Sequence, residues 1–518
     1  MRGSIPSSFF DESNQGFQRR KIERFRSPES GHRTTKEHYE TNQDMTDVGI
    51  PPFLQNSYLQ GTPPPKVTQL RPWQKELLLS DDWKSNKNAI ILVPTSGGKT
   101  LAADVAFAQQ LEQDPESKMI FSLPFVSLAS EKALEYRSRF NKFHVRPFYQ
   151  NVGGMDFRRG NIAVCTFEKV HSLLNSAIRD GYISKFKVIV IDEIHMIGES
   201  ERGAVIESII VKLLLLRPHI NIRIIGLTAT LNVADVKRIS TWINGFSYVC
   251  SQRPSPIKNY FKASNGDLYI LENGVQRQIL KLNSIPEDNK HILHPVRTCL
   301  SQHPSSTVLV FVNTRKLTVQ VALFIARHLF DENNSLPQIQ QPSTRLSASR
   351  DLLIQRLSKL ETGIDPNIGR CIKSGVAFHH AGMLLEERKL IEDAARDSVI
   401  SIIVATTTLS AGINIRSVSR VIIYDLYRQG NILIPNSVFI QMAGRAGRNE
   451  LIGGDVFILA RTTNEREIQD ACALSRNEIE NITPQLFMSE KSSDRYFLQC
   501  LYLGLLPNVF DFRYQSLA

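Results

Sequence analysis

From Leu70 onward the chain alternates short apolar runs rich in β-branched residues with longer stretches whose apolar residues recur at helical spacing. The runs 89–93, 118–123, 162–165, 187–191 and 222–227 are too short for buried helices and too continuous for strands with one wet face. Segments 101–111, 127–140 and 204–216 separate them and carry the helical period. Strands buried on both faces need a helical layer on each side, so this alternation predicts a parallel sheet with right-handed crossovers. A second series at 307–312, 375–378, 400–405, 419–424 and 455–459 predicts a second α/β sheet in tandem. The length, 518 residues, also exceeds what one hydrophobic core usually holds. Pro254 and Pro256 mark the joint between the sheets.

Four segments follow from this: a tail over 1–65, α/β domains over 66–252 and 253–465, and a small appendage over 466–518. The tail is rich in Ser, Gln, Pro and mixed charge, so it is expected to be disordered for want of apolar area. Its cluster Arg19, Arg20, Lys21, Arg24 and Arg26 suits a nuclear-import signal or a DNA contact as well as a merely solvated charge run. Residues 333–367, polar and broken by prolines, read as an insertion in the second domain. Lys and Arg outnumber Asp and Glu by 62 to 51, a net charge of +11 compatible with a polyanionic partner. The six cysteines lie far apart without a CxxC pair, which argues against a disulfide framework, a zinc ribbon or an iron–sulfur cluster. No run approaches the length of a membrane span and no signal-peptide pattern opens the chain, so an intracellular protein without a membrane partner is expected.

Chemistry concentrates in two places on the first sheet. The sequence PTSGGKT (94–100) lies between a buried run and a helical stretch, the setting of a phosphate-binding loop. Amides of Thr95, Ser96, Gly97 and Gly98 can point at phosphate oxygens, Lys99 can reach the β- and γ-phosphates, and Thr100 can ligate Mg²⁺. Val93 replaces the first glycine of the strict pattern. Downstream, the apolar run 189–191 ends in Asp192, Glu193, Ile194 and His195. Paired acids after a buried strand suit Mg²⁺ binding by Asp192 and base catalysis by Glu193.

Further segments then fall into a known order. LRPWQ (70–74), PTSGGKT, DEIH (192–195), TAT (228–230), FVNTR (311–315), ATTTLSAGIN (405–414) and QMAGRAGR (441–448) resemble the successive motifs of superfamily-two helicases. The wording of PTSGGKT, DEIHMIGE, AFHHAGM and QMAGRAGR is similar to the branch that contains the HELQ helicases and the helicase domain of DNA polymerase theta. The resemblance covers residues 66–480 and implies two RecA-like domains closing on ATP. It implies that Gln74 reads the adenine edge and that His195, Thr228 and Thr230 couple the nucleotide site to the rest. In such motors the second sheet must insert charge into the first sheet's site. Arg445 and Arg448, three apart and expected on one helical face, suit arginine fingers, with Gln441 beside them at the γ-phosphate or attacking water. Gly412 permits a close backbone approach to nucleotide or strand.

Nucleic-acid contacts are expected at the carboxyl ends of the strands: Pro124, Thr166, Lys169, Asn313, Arg315, Thr406 and Thr408. Residues 421–435 read as a hairpin turning at Arg428–Gln429–Gly430–Asn431, with Tyr427 near the tip as a stacking surface. His379 and His380 are adjacent on an expected strand and so point to opposite faces, which disfavours a shared metal. The reading is an ATP- and Mg²⁺-dependent DNA helicase acting on single-stranded and forked DNA, with 3′–5′ movement, DNA repair and a nuclear location implied by the resemblance. RNA remains possible as the strand, since the motifs do not sense a 2′-hydroxyl. A further alternative is a truncated, non-unwinding DNA-binding or interaction module, because residues 466–518 reach no farther than an expected partial winged helix.

Overall fold

The computed structural model describes residues 41–488, apart from short breaks of which the longest are 408–414 and 448–452, and scattered residues to 505. Strands β1 (Asn88–Leu92), β2 (Lys118–Leu123), β3 (Val145–Phe148), β4 (Ile162–Thr166), β5 (Phe186–Asp192), β6 (Arg223–Thr228) and β7 (Gly245–Val249) form one parallel sheet in the order β3-β4-β2-β5-β6-β1-β7. Its central strands are largely apolar because successive side chains enter different cores. Ile91, Phe121, Val190 and Ile225 pack on one face, and their neighbours Ile90, Ile120, Ile189 and Ile224 pack on the other. Register pairs Leu92 with Thr228 and Asp192 with Leu227. The loops leaving β1, β5 and β6 therefore open side by side at one edge.

The second sheet comprises β8 (Ile257–Lys262), β9 (Asp267–Glu272), β10 (Val275–Lys281), β11 (Thr307–Val312), β12 (Val376–His379), β13 (Ile402–Thr406), β14 (Val418–Ile423) and β17 (Gly454–Leu459). Its order is β10-β9-β8-β17-β14-β11-β13-β12, parallel from β8 to β12 and antiparallel through β8, β9 and β10. Between β14 and β17, β15 (Tyr427–Arg428) and β16 (Ile432–Leu433) form a separate two-stranded hairpin.

The two-sheet α/β architecture agrees with the expectation, and several boundaries require correction. Residues up to 65 are not uniformly a tail. Helices Gln43–Asp47 and Pro52–Gln60 bury Met45, Leu54 and Tyr58 against the first sheet's core. The Tyr58 hydroxyl donates to Asp104 Oδ2 at 2.6 Å, and Asp104 also accepts from Tyr136 Oη at 2.6 Å and Arg139 Nη1 at 2.7 Å. All four are buried, so the segment is tied to the helix that opens at Thr100. The basic cluster at 19–26 lies outside the described residues. Within the stretch 333–367, expected as a polar insertion, helix Thr344–Ser358 buries Leu353 and Leu357 in the second core. Helix Glu465–Ser475 adds Ile468, Ala471 and Leu474 to that core, so the second domain runs past 465.

Beyond this helix the chain returns to the first domain. Glu207 carboxylate oxygens accept from the amides of Gln485 and Leu486, and Asp235 Oδ2 accepts from the amide of Ile482 at 2.8 Å. Most residues after 488 lie outside the described part, where the expected winged helix would fall. Among the described residues no helix is long and apolar enough to cross a membrane, and all six cysteines are free.

Candidate nucleotide site between the two sheets

The loop after β1 is coiled by two left-handed residues, Ser96 (φ 65°) and Gly98 (φ 83°), before the helix Thr100–Gln113 opens. Such a turn aims successive amides into one concavity beside a helix N-terminus. The glycines are sterically required. A Cβ on Gly97 would lie 2.4 Å from Val93 Cγ1, and one on Gly98 would lie 2.8 Å from Gln74 Nε2. Gln74, expected to read adenine, and its neighbour Trp73 brace this loop from outside. Trp73 Nε1 donates to Gly97 O at 3.0 Å, and Gln74 Nε2 donates to Gly98 O at 3.1 Å while its Oε1 accepts from the Arg71 amide at 2.9 Å. Gln74 is buried, and its carboxamide is bound within the protein at both ends. Lys99 Nζ donates to Val93 O at 3.3 Å, back across the loop it belongs to.

β5 delivers the acids beside this loop. Glu193 is left-handed (φ 54°), and its amide donates to Asp192 Oδ1 at 3.0 Å. Burial and then the Glu193 carboxylate push Asp192 well above the usual carboxylate range, opposed by Lys99 and Lys132. His195 is buried, with Nδ1 3.2 Å from Thr228 Oγ1 and 3.3 Å from Glu193 Oε2. Thr228 Oγ1 in turn accepts from the Thr230 amide at 3.1 Å. Burial depresses the His195 pKa, so the ring is neutral near pH 7.

The second sheet reaches the same place. Gln441, on helix Asn436–Ala443, donates from Nε2 to His195 Nε2 at 2.8 Å. His195 Nε2 is then the acceptor, which leaves its proton on Nδ1, facing Glu193 and Thr228. Thr95 Oγ1 donates to Gly444 O at 3.1 Å. A Cβ on Gly444 would sit 2.5 Å from Thr95 Oγ1, so this approach is open to glycine alone. Arg445 does not lie on the helical face expected for it. The helix stops at Ala443, and Arg445 occupies the turn that follows. Burial brings its guanidinium down to about 10, opposed first by Glu193 and then by Glu131, which places it in the field of Glu193. Arg448, Gly412 and Thr408 lie outside the described residues.

Two participants carry no recognisable pattern of their own. Arg253, in the connection between the sheets, donates to Thr95 Oγ1, Gly444 O and Ala446 O. Lys132, on helix Val126–Arg139, bears on Asp192 and is paired with Glu135 at 2.6 Å. Isolated basic residues give no signal until the fold brings distant loops together.

The expected strand-contacting residues lie along the carboxyl-terminal rims. Pro124 follows β2, Thr166 ends β4, Lys169 lies in the first turn of helix Phe167–Arg179, and Thr406 ends β13. Asn313 and Arg315 follow β11, Arg315 being exposed at the start of helix Arg315–His328. Pro124 and Thr166 are buried, and Lys169 is half-buried.

The hairpin is present, with Gly430 (φ 78°) and Asn431 (φ 55°) in its turn, but Tyr427 does not stand at the tip. Tyr427 lies in the incoming strand, its hydroxyl donating to Asp470 Oδ2 at 2.6 Å and its ring 5.6 Å from the Arg461 guanidinium. Its carbonyl accepts from Asn313 Nδ2 and from Arg461 Nη2. The ring is therefore engaged within the domain, whereas Ile432, just after the turn, is 64% exposed. His379 is bound to Glu392 at 2.9 Å, and His380 stacks on Phe378.

Residues 72–239 match the family model of the DEAD/DEAH box helicases, and residues 354–450 match that of the helicase conserved C-terminal domain. The ATP-dependent DNA helicase Hel308 of Methanococcus vannielii is 31% identical over 86% of this chain and 57% of its own length. The human helicase POLQ-like is 30% identical over 86% of this chain and 40% of its own. Mouse DNA polymerase theta is 29% identical over 78% of this chain and 16% of its own. The chain thus spans little more than half the length of the first of these curated relatives and less of the others.

Proposed function

Because the chain belongs to superfamily two of the helicases, in the branch of Hel308 and the POLQ-like helicases, we propose that it is an ATP-driven DNA motor. It hydrolyses ATP between its sheets, moves along single-stranded DNA and opens duplexes. One observation carries this reading: Gln441 and Gly444 of the second sheet touch His195 and Thr95 of the first, across the phosphate loop. A nucleotide held there contacts both domains, so its hydrolysis changes their separation.

The acid pair also fits Mg²⁺. Asp192 is pushed up by burial and a like-charged neighbour, a frustration a divalent cation relieves, and the Thr100 hydroxyl opens the adjacent helix. When bound, the ion supplies charge neutralisation on the phosphates. Glu193 holds the base position, and His195 relays contact between it, Thr228 and Gln441. The neutral His195 ring can accept from Gln441 and donate towards Glu193 at once, which links domain closure to the orientation of the base. Movement 3′–5′, work in DNA repair and a nuclear location complete the reading and rest on the family likeness. The test is ATP turnover by the purified chain with single-stranded DNA or RNA. Stimulation by DNA severalfold above RNA is expected; the reverse order selects an RNA helicase, and DNA binding without turnover selects an interaction module.

The hairpin supplies a strand-separating element in this proposal, through Ile432 rather than Tyr427. Apolar side chains such as isoleucine wedge between base steps at a cost of a few kcal/mol in lost stacking. Ile432→Asp is expected to leave DNA-stimulated ATP turnover within about twofold of wild type and to lower duplex separation severalfold, because the wedge acts on the duplex and not on the nucleotide. Parallel assays of hydrolysis and of fork opening check this. Unchanged fork opening, or an equal fall in both, removes the hairpin from the role.

A further inference from the structure

Arg253 lies in the connection 250–256 between β7 and β8, which is fastened at both ends. The Cys250 amide donates to Leu92 O at 2.9 Å, and the Gly454 amide donates to Pro256 O at 3.0 Å. Between these anchors the Arg253 guanidinium gathers three segments. Nη1 donates to Thr95 Oγ1 at 3.3 Å, and Nη2 donates to Gly444 O at 3.1 Å and to Ala446 O at 2.8 Å. Thr95 belongs to the phosphate loop, and Gly444 and Ala446 are the residues on either side of Arg445. Among the described residues no carboxylate lies within ion-pairing distance of Arg253. Its contacts are two carbonyls and a hydroxyl, so its geometry serves orientation rather than charge neutralisation. A planar guanidinium presents fixed, divergent donors, and bonds to the carbonyls of Gly444 and Ala446 hold the 444–445 and 446–447 peptides, pinning the turn just before Arg445 and one residue after it.

We propose that Arg253 is a positioning residue for ATP hydrolysis, clamping the 444–446 turn to Thr95 so that Arg445 is aimed over the phosphate loop when the sheets close. The connection between the domains is then itself part of the catalytic geometry. This rests on the reading of Arg445 as the charge supplied by the second sheet. Burial brings the Arg253 guanidinium down to about 10, which leaves it charged at neutral pH.

The test compares Arg253→Ala, Arg253→Lys, Arg445→Ala and the Arg253→Ala/Arg445→Ala double variant in DNA-stimulated hydrolysis. Arg253→Ala is expected to lower kcat by roughly 10- to 100-fold, the scale of a misplacement of about 1 Å, and to leave KM for ATP nearly unchanged. The double variant should be no slower than Arg445→Ala alone, because both losses remove one interaction. Arg253→Lys should recover little, since an ammonium cannot place donors on three acceptors in one plane.

Amide hydrogen exchange across 440–447 reads the clamp without turnover, and Arg253→Ala should lose protection there. A kcat within twofold of wild type, a loss that multiplies with that of Arg445→Ala, or unchanged protection each overturns the proposal. Should Arg445→Ala itself turn over normally, the reading of Arg445 fails, and exchange alone still decides whether Arg253 holds the turn. If Arg253→Ala fails to fold by thermal melting, Arg253→Lys and Arg253→Gln carry the same comparison, the clamp predicting lowered kcat and protection in both.

Discussion

Glu193→Gln is expected to lower ATP turnover by roughly 100-fold or more, the usual contribution of a general base, while ATP binding survives. The two effects separate because of what the substitution leaves in place. Glutamine keeps the size of the side chain and an oxygen that can face His195 Nδ1, 3.3 Å from Glu193 Oε2 in the native site. The left-handed backbone at residue 193, and its amide bond to Asp192, are unaffected by a change at the end of the side chain. The charge that disappears is one that pushes Asp192 upward, so the acid expected to hold Mg²⁺ ionises more readily in the variant.

Lys99→Ala provides the contrast. It removes a cation from the phosphate loop and from the surroundings of Asp192, so affinity and turnover should fall together. Nucleotide binding and steady-state hydrolysis, measured on both variants, check the pair. Retention of more than about a tenth of wild-type turnover by Glu193→Gln would place the base elsewhere, since such a group is worth ~10²-fold.

What the sequence made legible follows from where water lies. The central strands of both sheets are buried on both faces, so β2, β5, β11 and β14 read as continuous apolar runs whose limits lie within a residue of those expected. Three edge strands escape that criterion. β3 carries Arg146 and Pro147, β7 is half-exposed, and every residue of β10 is exposed, because each faces water on at least one side. Helices Gln43–Asp47 and Pro52–Gln60 were hidden by the polar average around them, although Met45, Leu54 and Tyr58 are fixed in the core.

At the candidate site, the loop 94–100 and the acids Asp192 and Glu193 could be picked out because each is a contiguous motif, and both contain left-handed backbone, at Ser96 and Gly98 and at Glu193. The contacts between domains were not readable. Thr95 meets Gly444 and His195 meets Gln441 only after two sheets close on one another, and no local spacing encodes that. Tyr427 shows the converse failure. An aromatic residue beside a turn suggested a stacking face, and only the fold revealed Asp470 and Arg461 already engaging it.

Arg445→Ala is expected to collapse turnover by about 10³-fold or more, the scale on which an arginine finger acts in phosphoryl transfer, with ATP affinity changed little. The side chain sits in a turn, held near the phosphate loop by Gly444 O against Thr95 and in the field of Glu193 and Glu131. Removing it therefore deletes a cation that the second domain brings to the first, and not one the phosphate loop needs to bind nucleotide. A group contributed by the opposite domain acts chiefly in the closed state, where charge spreads over the transferring phosphoryl oxygens. In the proposed motor, single-stranded DNA stimulates hydrolysis by favouring that state, so stimulation should vanish in the same variant. Arg445→Lys should not restore it, because an ammonium lacks the planar donor pair that spans two phosphate oxygens. Titrations of nucleotide affinity, alongside kcat with and without DNA, decide the matter. Equal losses in affinity and rate identify a structural arginine. A loss of only about tenfold, too small for a finger, assigns that role to a residue beyond Gly447 and leaves Arg445 as its support.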